Sequence, residues 1–237
     1  GTARNTGLDA ARGDWILFAD SDDVFHTDRL EQVLDIVAGD IPDADLYMFG
    51  MDAFDAETGR PSERHAYAMR MIGAARDACD TQALARVYAP FGRVIRRDFI
   101  DRHGLRFGGT RVANDVLFAT DLALACPRTR YLDVVAYSLR AGNPSLTAQK
   151  SSESIRDRFR VWRAAHARLC AAGRRDLTVP LYRRVAGLFP SSRALVVHET
   201  VVSMWHGLPL FPSWRSVARE LLRRSRAFRQ RPAARRA

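Results

Sequence analysis

Three carboxylates stand together where Trp15-Ile16-Leu17-Phe18-Ala19 runs directly into Asp20-Ser21-Asp22-Asp23. The apolar run is short, continuous and preceded by Gly13-Asp14, which predicts a buried central strand of an α/β sheet. The C-terminal edge of such a strand is where open α/β sheets bind ligands. Carboxylates crowded there repel one another unless a divalent cation, or a metal carried by a phosphate ligand, offsets their charge. A plainer reading stands beside this one: the acids cap the helix that follows. The other reactive residue types offer less. His26, His65, His103, His166, His198 and His206 share no metal-ligand spacing and are read as structural. Cys79, Cys126 and Cys170 are odd in number and widely spaced, so neither a disulfide framework nor a zinc site is indicated, and a reducing cytoplasm is expected. Ser138 and Cys126 have no histidine partner that the sequence assigns.

The residues ahead of the strand add to the acid cluster. Thr2-Ala3-Arg4-Asn5-Thr6-Gly7-Leu8-Asp9-Ala10-Ala11-Arg12-Gly13 reads as a small-residue helix ending in glycine. Joined to the strand and the acids, it resembles the Ala-Arg-Asn-x-Gly to Asp-x-Asp-Asp segment of family 2 glycosyltransferases. Further stretches follow in the order that family places them. Phe91-Gly92-Arg93-Val94-Ile95-Arg96-Arg97 with Gly104 and Phe107 resembles the segment before the acceptor site. Asn114-Asp115-Val116-Leu117-Phe118 stands where the family has Glu-Asp and an apolar helix. Tyr131 to Arg140, followed by Asn143-Pro144-Ser145-Leu146-Thr147, resembles the close of the catalytic domain.

The resemblance spans residues 1–150 and implies an α/β, GT-A-like fold that moves a sugar from a nucleotide-sugar donor to an acceptor hydroxyl with inversion. Carried over by position, Arg4 lines the nucleotide site, Asp20 approaches the ribose, and Asp22 ligates Mg²⁺ or Mn²⁺ on the donor diphosphate. Asp23 supports them. Asp115 is the catalytic base, and Arg140 and Ser145 meet the diphosphate. Asn114 departs from the usual Glu. The implied acceptor is a glycan or polyol phosphate, in bacterial cell-surface polysaccharide or teichoic-acid-like polymer synthesis. Gly1 is not an initiator residue and the family's first strands are absent, so the chain is expected to be a fragment of a longer protein. Its sheet would then expose an apolar edge, and the fragment alone is expected to bind sugar nucleotide weakly and to be inactive.

Two other classes compete. Phe18-Ala19-Asp20-Ser21-Asp22-Asp23-Val24 also resembles the Asp-x-Asp motif of haloacid-dehalogenase-like phosphohydrolases, which would make Asp20 a nucleophile and Asp22 a general acid. No downstream acid pair completes that set. The net charge of +10 would also suit a basic, non-catalytic module on nucleic acid or an anionic membrane. However, Lys150 is the only lysine and alanine is abundant, a pattern that codon bias produces as well as selection does. No nucleic acid partner is expected.

The elements that must position these residues follow from periodicity. Residues 28–37 carry Leu30, Val33, Leu34 and Val37 at helical spacing and stop at Gly39. Residues 45–54 read as a strand, residues 57–62 as a turn, residues 115–125 as a helix with Asp115 at its start, and residues 131–139 as a returning strand. A helical extension is expected over 151–237. It opens with an amphipathic helix over 151–169, continues through 185–202 with a break at Pro190, and ends in an arginine-rich helix over 214–228. That last helix is either an interfacial helix making peripheral contact with the inner face of the membrane, or a helix packed on the domain with solvated arginines. Trp205 and Trp214 are read as core packing in preference to sugar stacking or a lipid seat. No apolar run is long enough to cross a bilayer, and the protein is expected in the cytoplasm.

Overall fold

In a computed structural model the protein is described over residues 1–39, 44–125, 128–142, 151–186, 188 and 191–211. Five strands form one mixed sheet: β1 (Trp15–Ile16), β2 (Val24–Phe25), β3 (Leu46–Asp55), β4 (Arg93–Arg96) and β5 (Thr129–Ala141), in the order β1-β4-β3-β5-β2. The long central pair, β3 and β5, is parallel, and the other three pairings are antiparallel. The first six residues of β3 are all buried, as a strand covered on both faces requires. Gly50 interrupts the β3/β5 register. A Cβ there would stand 2.9 Å from Val135 Cγ2 and 3.0 Å from the Val134 carbonyl oxygen, so the close approach of the two backbones needs glycine.

Helices flank the sheet. The first, α1 (Thr2–Ala10), precedes β1, and α2 (Thr27–Gly39) follows β2 and packs on β5. Next come α3 (Ala66–Asp77), a 3-10 helix (Thr81–Arg86), α4 (Arg97–Arg102) and α5 (Asp115–Ala125). The expected helix over 115–125 is α5, but its apolar residues face several directions: Val116, Phe118, Ala119, Thr120, Leu122 and Ala123 are all buried. It packs against the 3-10 helix and the next helix, α6 (Ser152–Ala171).

The expected central strand at 15–19 differs. Only Trp15 and Ile16 pair, and β1 is an edge of the sheet, hydrogen-bonded to β4 alone. Its apolar residues are covered from the faces instead. Trp15 lies under the Arg96 guanidinium, 4.6 Å from its ring, and edge-on to Tyr47. Phe18 packs edge-on against Phe107 and Phe118. A run this apolar therefore signals burial without signalling a central ladder position.

Beyond Ala141 no strand occurs among the described residues. Ser151 caps α6 by accepting from the Ser154 amide. After α6 come a short 3-10 turn (Arg175–Leu177), α7 (Tyr182–Val185) and α8 (Arg193–Trp205). Ile155, Phe159, Trp162, Leu181, Val185 and Val196 form their own apolar cluster, while Leu169 and Leu177 join the main core. Two ion pairs tie the parts together: Arg168 to Asp121 of α5 at 2.9 Å, and Arg174 to Asp80 at 2.6 Å. Trp205 is not core. It is 89% exposed, because the inner face of α8 is occupied by Val196, Glu199 and Ser203. Pro190, Trp214 and the helix expected over 214–228 lie outside the described residues, as does Cys126.

Candidate active site

The acid cluster is built on a turn between two short strands, β1 and β2, with β5 as its floor. Among the described residues, Asp20, Asp22 and Asp23 are the group whose ligand atoms come close enough for one ion, all within 4.8 Å of one another. Tyr137 of β5 organises the turn. Its hydroxyl accepts from the Asp20 amide at 2.9 Å and donates to Asp23 Oδ2 at 2.8 Å. The Arg140 amide donates to Asp23 Oδ1 at 2.8 Å. Burial pushes the Asp23 carboxyl above its ordinary range. The two hydrogen bonds offset part of that, and the neighbouring Asp22 and Asp20 charges push the same way as burial. Burial likewise raises the Tyr137 hydroxyl, which therefore remains a donor.

Each acid is differently engaged. Asp20 is held by Arg4, whose Nη2 lies 2.6 Å from Asp20 Oδ1. Asp23 uses both oxygens on β5. Asp22 has no hydrogen bond or ion pair among the described residues, which leaves it free to bind a ligand. An oxygen-only donor set with one free carboxylate and two carboxylates beside it suits a hard divalent cation such as Mg²⁺ or Mn²⁺.

Arg4 joins this cluster to a second one. Its Nη1 donates to Asn114 Oδ1 at 3.2 Å, and its guanidinium lies 5.3 Å from the Phe107 ring. The helix that carries it is fixed by its neighbour Asn5, whose side chain donates to the Phe107 carbonyl at 3.1 Å and accepts from the Phe107 amide at 2.9 Å. Asp115 follows Asn114 at the first residue of α5. Burial raises its carboxyl above the ordinary value. Its own backbone N–H and the positive charges of Arg4 and Arg93 offset this, while Asp20 adds to it. A half-buried carboxylate with an elevated proton affinity is what a general base requires.

Arg4, Asp20, Asp22, Asp23 and Asp115 are thus brought to one end of the sheet. Arg140 reaches the group through its backbone, and its side chain is exposed. Ser145 lies outside the described residues. Sequence reasoning passed over Tyr137 and Asn5 as working parts. Both lie inside the motifs already quoted, and a tyrosine within a strand that ends beside the acid cluster is the available signal for the first.

A family model, glycosyl transferase family 2, matches residues 1–104. That match makes the segment similar to glycosyl transferase family 2, over less than half of the chain. The fold is that of GT-A glycosyltransferases. Among solved structures, S. aureus TarS 1–349 in complex with UDP-GlcNAc is similar at a TM-score of 0.56 and 18% identity, covering 82% of this chain and 54% of that one. TarS 1–349 alone gives 0.53 at 17% identity, covering 82% and 52%. The longer TarS structure gives 0.52 at 17% identity, covering 82% and 32%. The chain therefore spans about half the length of TarS 1–349. No curated protein matches the sequence. The phosphohydrolase reading of the Asp20 and Asp22 pair yields to the family 2 match, which contains both residues.

Proposed function

We propose that this protein carries the donor and base residues of a metal-dependent, inverting glycosyltransferase that moves a sugar from a nucleotide-sugar donor to an acceptor hydroxyl. The observation that carries the reading is Arg4. One guanidinium hydrogen-bonds both Asp20 of the acid cluster and Asn114 beside Asp115, so the donor-side acids and the candidate base share one frame. Asp115 takes the proton of the acceptor hydroxyl while that oxygen attacks the anomeric carbon, and the bond from that carbon to the diphosphate oxygen breaks. The leaving diphosphate gathers negative charge, and Arg140 and Ser145 are assigned to meet it. Asp20 approaches the ribose, with Arg4 holding its carboxylate in place. Mg²⁺ or Mn²⁺ would be held by Asp22 with Asp23 behind it, and when bound supplies a Lewis acid to the diphosphate. No covalent glycosyl-enzyme is required.

A UDP-sugar is the donor class to try first, since the TarS structure holds UDP-GlcNAc. The acceptor is a glycan or polyol phosphate of a bacterial cell-surface polymer, and the enzyme works in the cytoplasm at the inner membrane face. The test is transfer from UDP-sugars by the whole protein with Mn²⁺ and with excess chelator. Activity that needs the metal and is lost in Asp22→Ala supports the reading, and full activity in chelator refutes it.

A further inference from the structure

Two arginines near the candidate base carry charge that nothing among the described residues neutralises. Arg86 ends the 3-10 helix Thr81–Arg86 and Arg184 lies on α7, and both are half-buried. The Arg184 guanidinium is held against two rings, 4.8 Å from the centroid of Trp162 and 5.6 Å from that of Tyr88, and its Nη2 donates to the Tyr88 hydroxyl. Its Nη1 and the Nε of Arg86 are buried with no acceptor among the described residues, and neither arginine forms an ion pair there. Burial lowers the Arg184 guanidinium from its ordinary value. The Tyr88 hydroxyl offsets part of this, and the Arg86 charge adds to it. Unpaired charge and unsatisfied donors at this depth cost free energy, and such groups gather where a ligand of opposite charge binds.

The donors and their position select the ligand. Burial raises the Tyr88 hydroxyl above its ordinary value, so it keeps its proton at neutral pH. Having accepted from Arg184, it has that proton left to give, with no acceptor among the described residues. The charges of Arg86 and Arg184 act on each other and on Tyr88, so the three groups lie close enough to serve one anion. Phosphate answers such a donor set best, because its oxygens point in tetrahedral directions and pair with guanidinium forks. The position adjoins Asp115. Tyr88 packs on the seam of Val116, Val161 and Ala165, and Val116 follows Asp115 in the first turn of α5. Arg93 spans the same ground, since it donates to the Val87 carbonyl next to Tyr88 and its charge acts on Asp115. An anion held at Tyr88 is therefore on the side of the acceptor, whereas the donor diphosphate is assigned to Asp22, Arg140 and Ser145.

We propose that Arg86, Arg184 and Tyr88 form a subsite for a phosphate group of the acceptor, which makes the acceptor a phosphodiester-linked polyol and not a neutral glycan. This rests on the transferase reading of Asp115, and binding measured without donor separates the two. The test is calorimetry of the whole chain with a glycerol phosphate oligomer, a galacturonate oligomer of equal charge and a neutral malto-oligosaccharide. The parent is expected to bind the glycerol phosphate oligomer more tightly than the other two by on the order of tenfold or more. Arg86→Gln and Tyr88→Phe should each weaken that binding by on the order of tenfold. Arg29→Gln, which removes the same charge from an exposed position on α2, should not. The melting temperature should hold or rise in Arg86→Gln, because that side chain has no partner to lose. With UDP-sugar and Mn²⁺, Arg86→Gln and Tyr88→Phe should raise the KM for the phosphate acceptor and leave the affinity for UDP unchanged. Binding that depends on Arg86 and Tyr88, without transfer from any UDP-sugar, would support the subsite and refute the transferase reading. Absent binding of the glycerol phosphate oligomer, equal binding of the galacturonate, equal loss in Arg29→Gln, or transfer to the neutral glycan alone would each overturn the subsite.

Discussion

Asp115 is where function and stability pull in opposite directions. Burial raises its folded-state carboxyl above the unfolded value, so the native state holds a proton more tightly than the unfolded chain. Stability from this group is therefore present below the unfolded carboxyl range, about 3.9, and is lost as pH rises through the folded value. Asp115→Asn should raise the melting temperature at neutral pH, with the gain vanishing in acid, as thermal denaturation across pH would show. The same substitution keeps the size of the side chain and loses its basicity. Transfer should fall by on the order of 10²-fold or more while donor affinity holds, a split that single-turnover kinetics and calorimetry with UDP-sugar would measure. The parent's rate should decline on acidification at a pH above the usual carboxylate range. Asn114→Glu should be tolerated, because Arg4 Nη1 already points at that side chain. Asp22 is the free acid of its cluster, so Asp22→Ala should abolish Mn²⁺ binding, read by the paramagnetic resonance of the free ion, with little change in melting temperature.

At the scale of elements, the acid turn depends on β5 more than on its own strands. β1 and β2 contribute two paired residues each, too few to hold three repelling carboxylates in place. Tyr137 and the Arg140 amide supply the hold. Tyr137→Phe removes one acceptor and one donor while keeping the ring that stacks on Phe91. It should cost about 1–2 kcal/mol in denaturant melts and weaken Mn²⁺ binding, whereas a purely packing role would leave the metal titration unchanged. His26 supports the same strands from another side, with its Nε2 2.7 Å from Ser138 Oγ, which in turn donates to Asp52. The elements themselves were readable where a period and a stop signal coincided. Gly39 ends α2, Ser151 caps α6, and the helix expected at 115–125 is present residue for residue. The edge position of β1 was not readable, because an apolar run reports burial and says nothing about which strand lies beside it.

For the whole molecule, the helical part is joined to the α/β part by a few polar fasteners, by Leu169 and Leu177 in the main core, and by a small apolar seam of Val116, Val161 and Ala165. Arg174 is the strongest of the fasteners, bonding both oxygens of Asp80 and also Gln82. Its hydrogen bonds hold the Asp80 carboxyl below the usual range. That stabilisation is present above the unfolded carboxyl value and is lost as pH falls through the depressed one. Arg174→Ala should therefore cost about 1 kcal/mol near neutral pH, and less in acid, measured by urea denaturation at several pH values.

The sequence by itself determined the acid cluster, the Arg4 and Asp115 candidates, the family resemblance and the elements with a clear period, such as the helices near 28–37, 115–125 and 151–169, because motifs and periodicity are local. Only the tertiary structure decided that the Arg4 guanidinium, bonded to Asp20, also reaches Asn114 across 110 positions of chain, that Tyr137 ties the acid turn to β5, and that α8 turns its apolar face outward. Each of these depends on which surfaces meet. A stripe at helical spacing reads the same whether it faces a core or a bilayer. Here Arg163, from another helix, satisfied Glu199 and Ser203 and so settled which way α8 points.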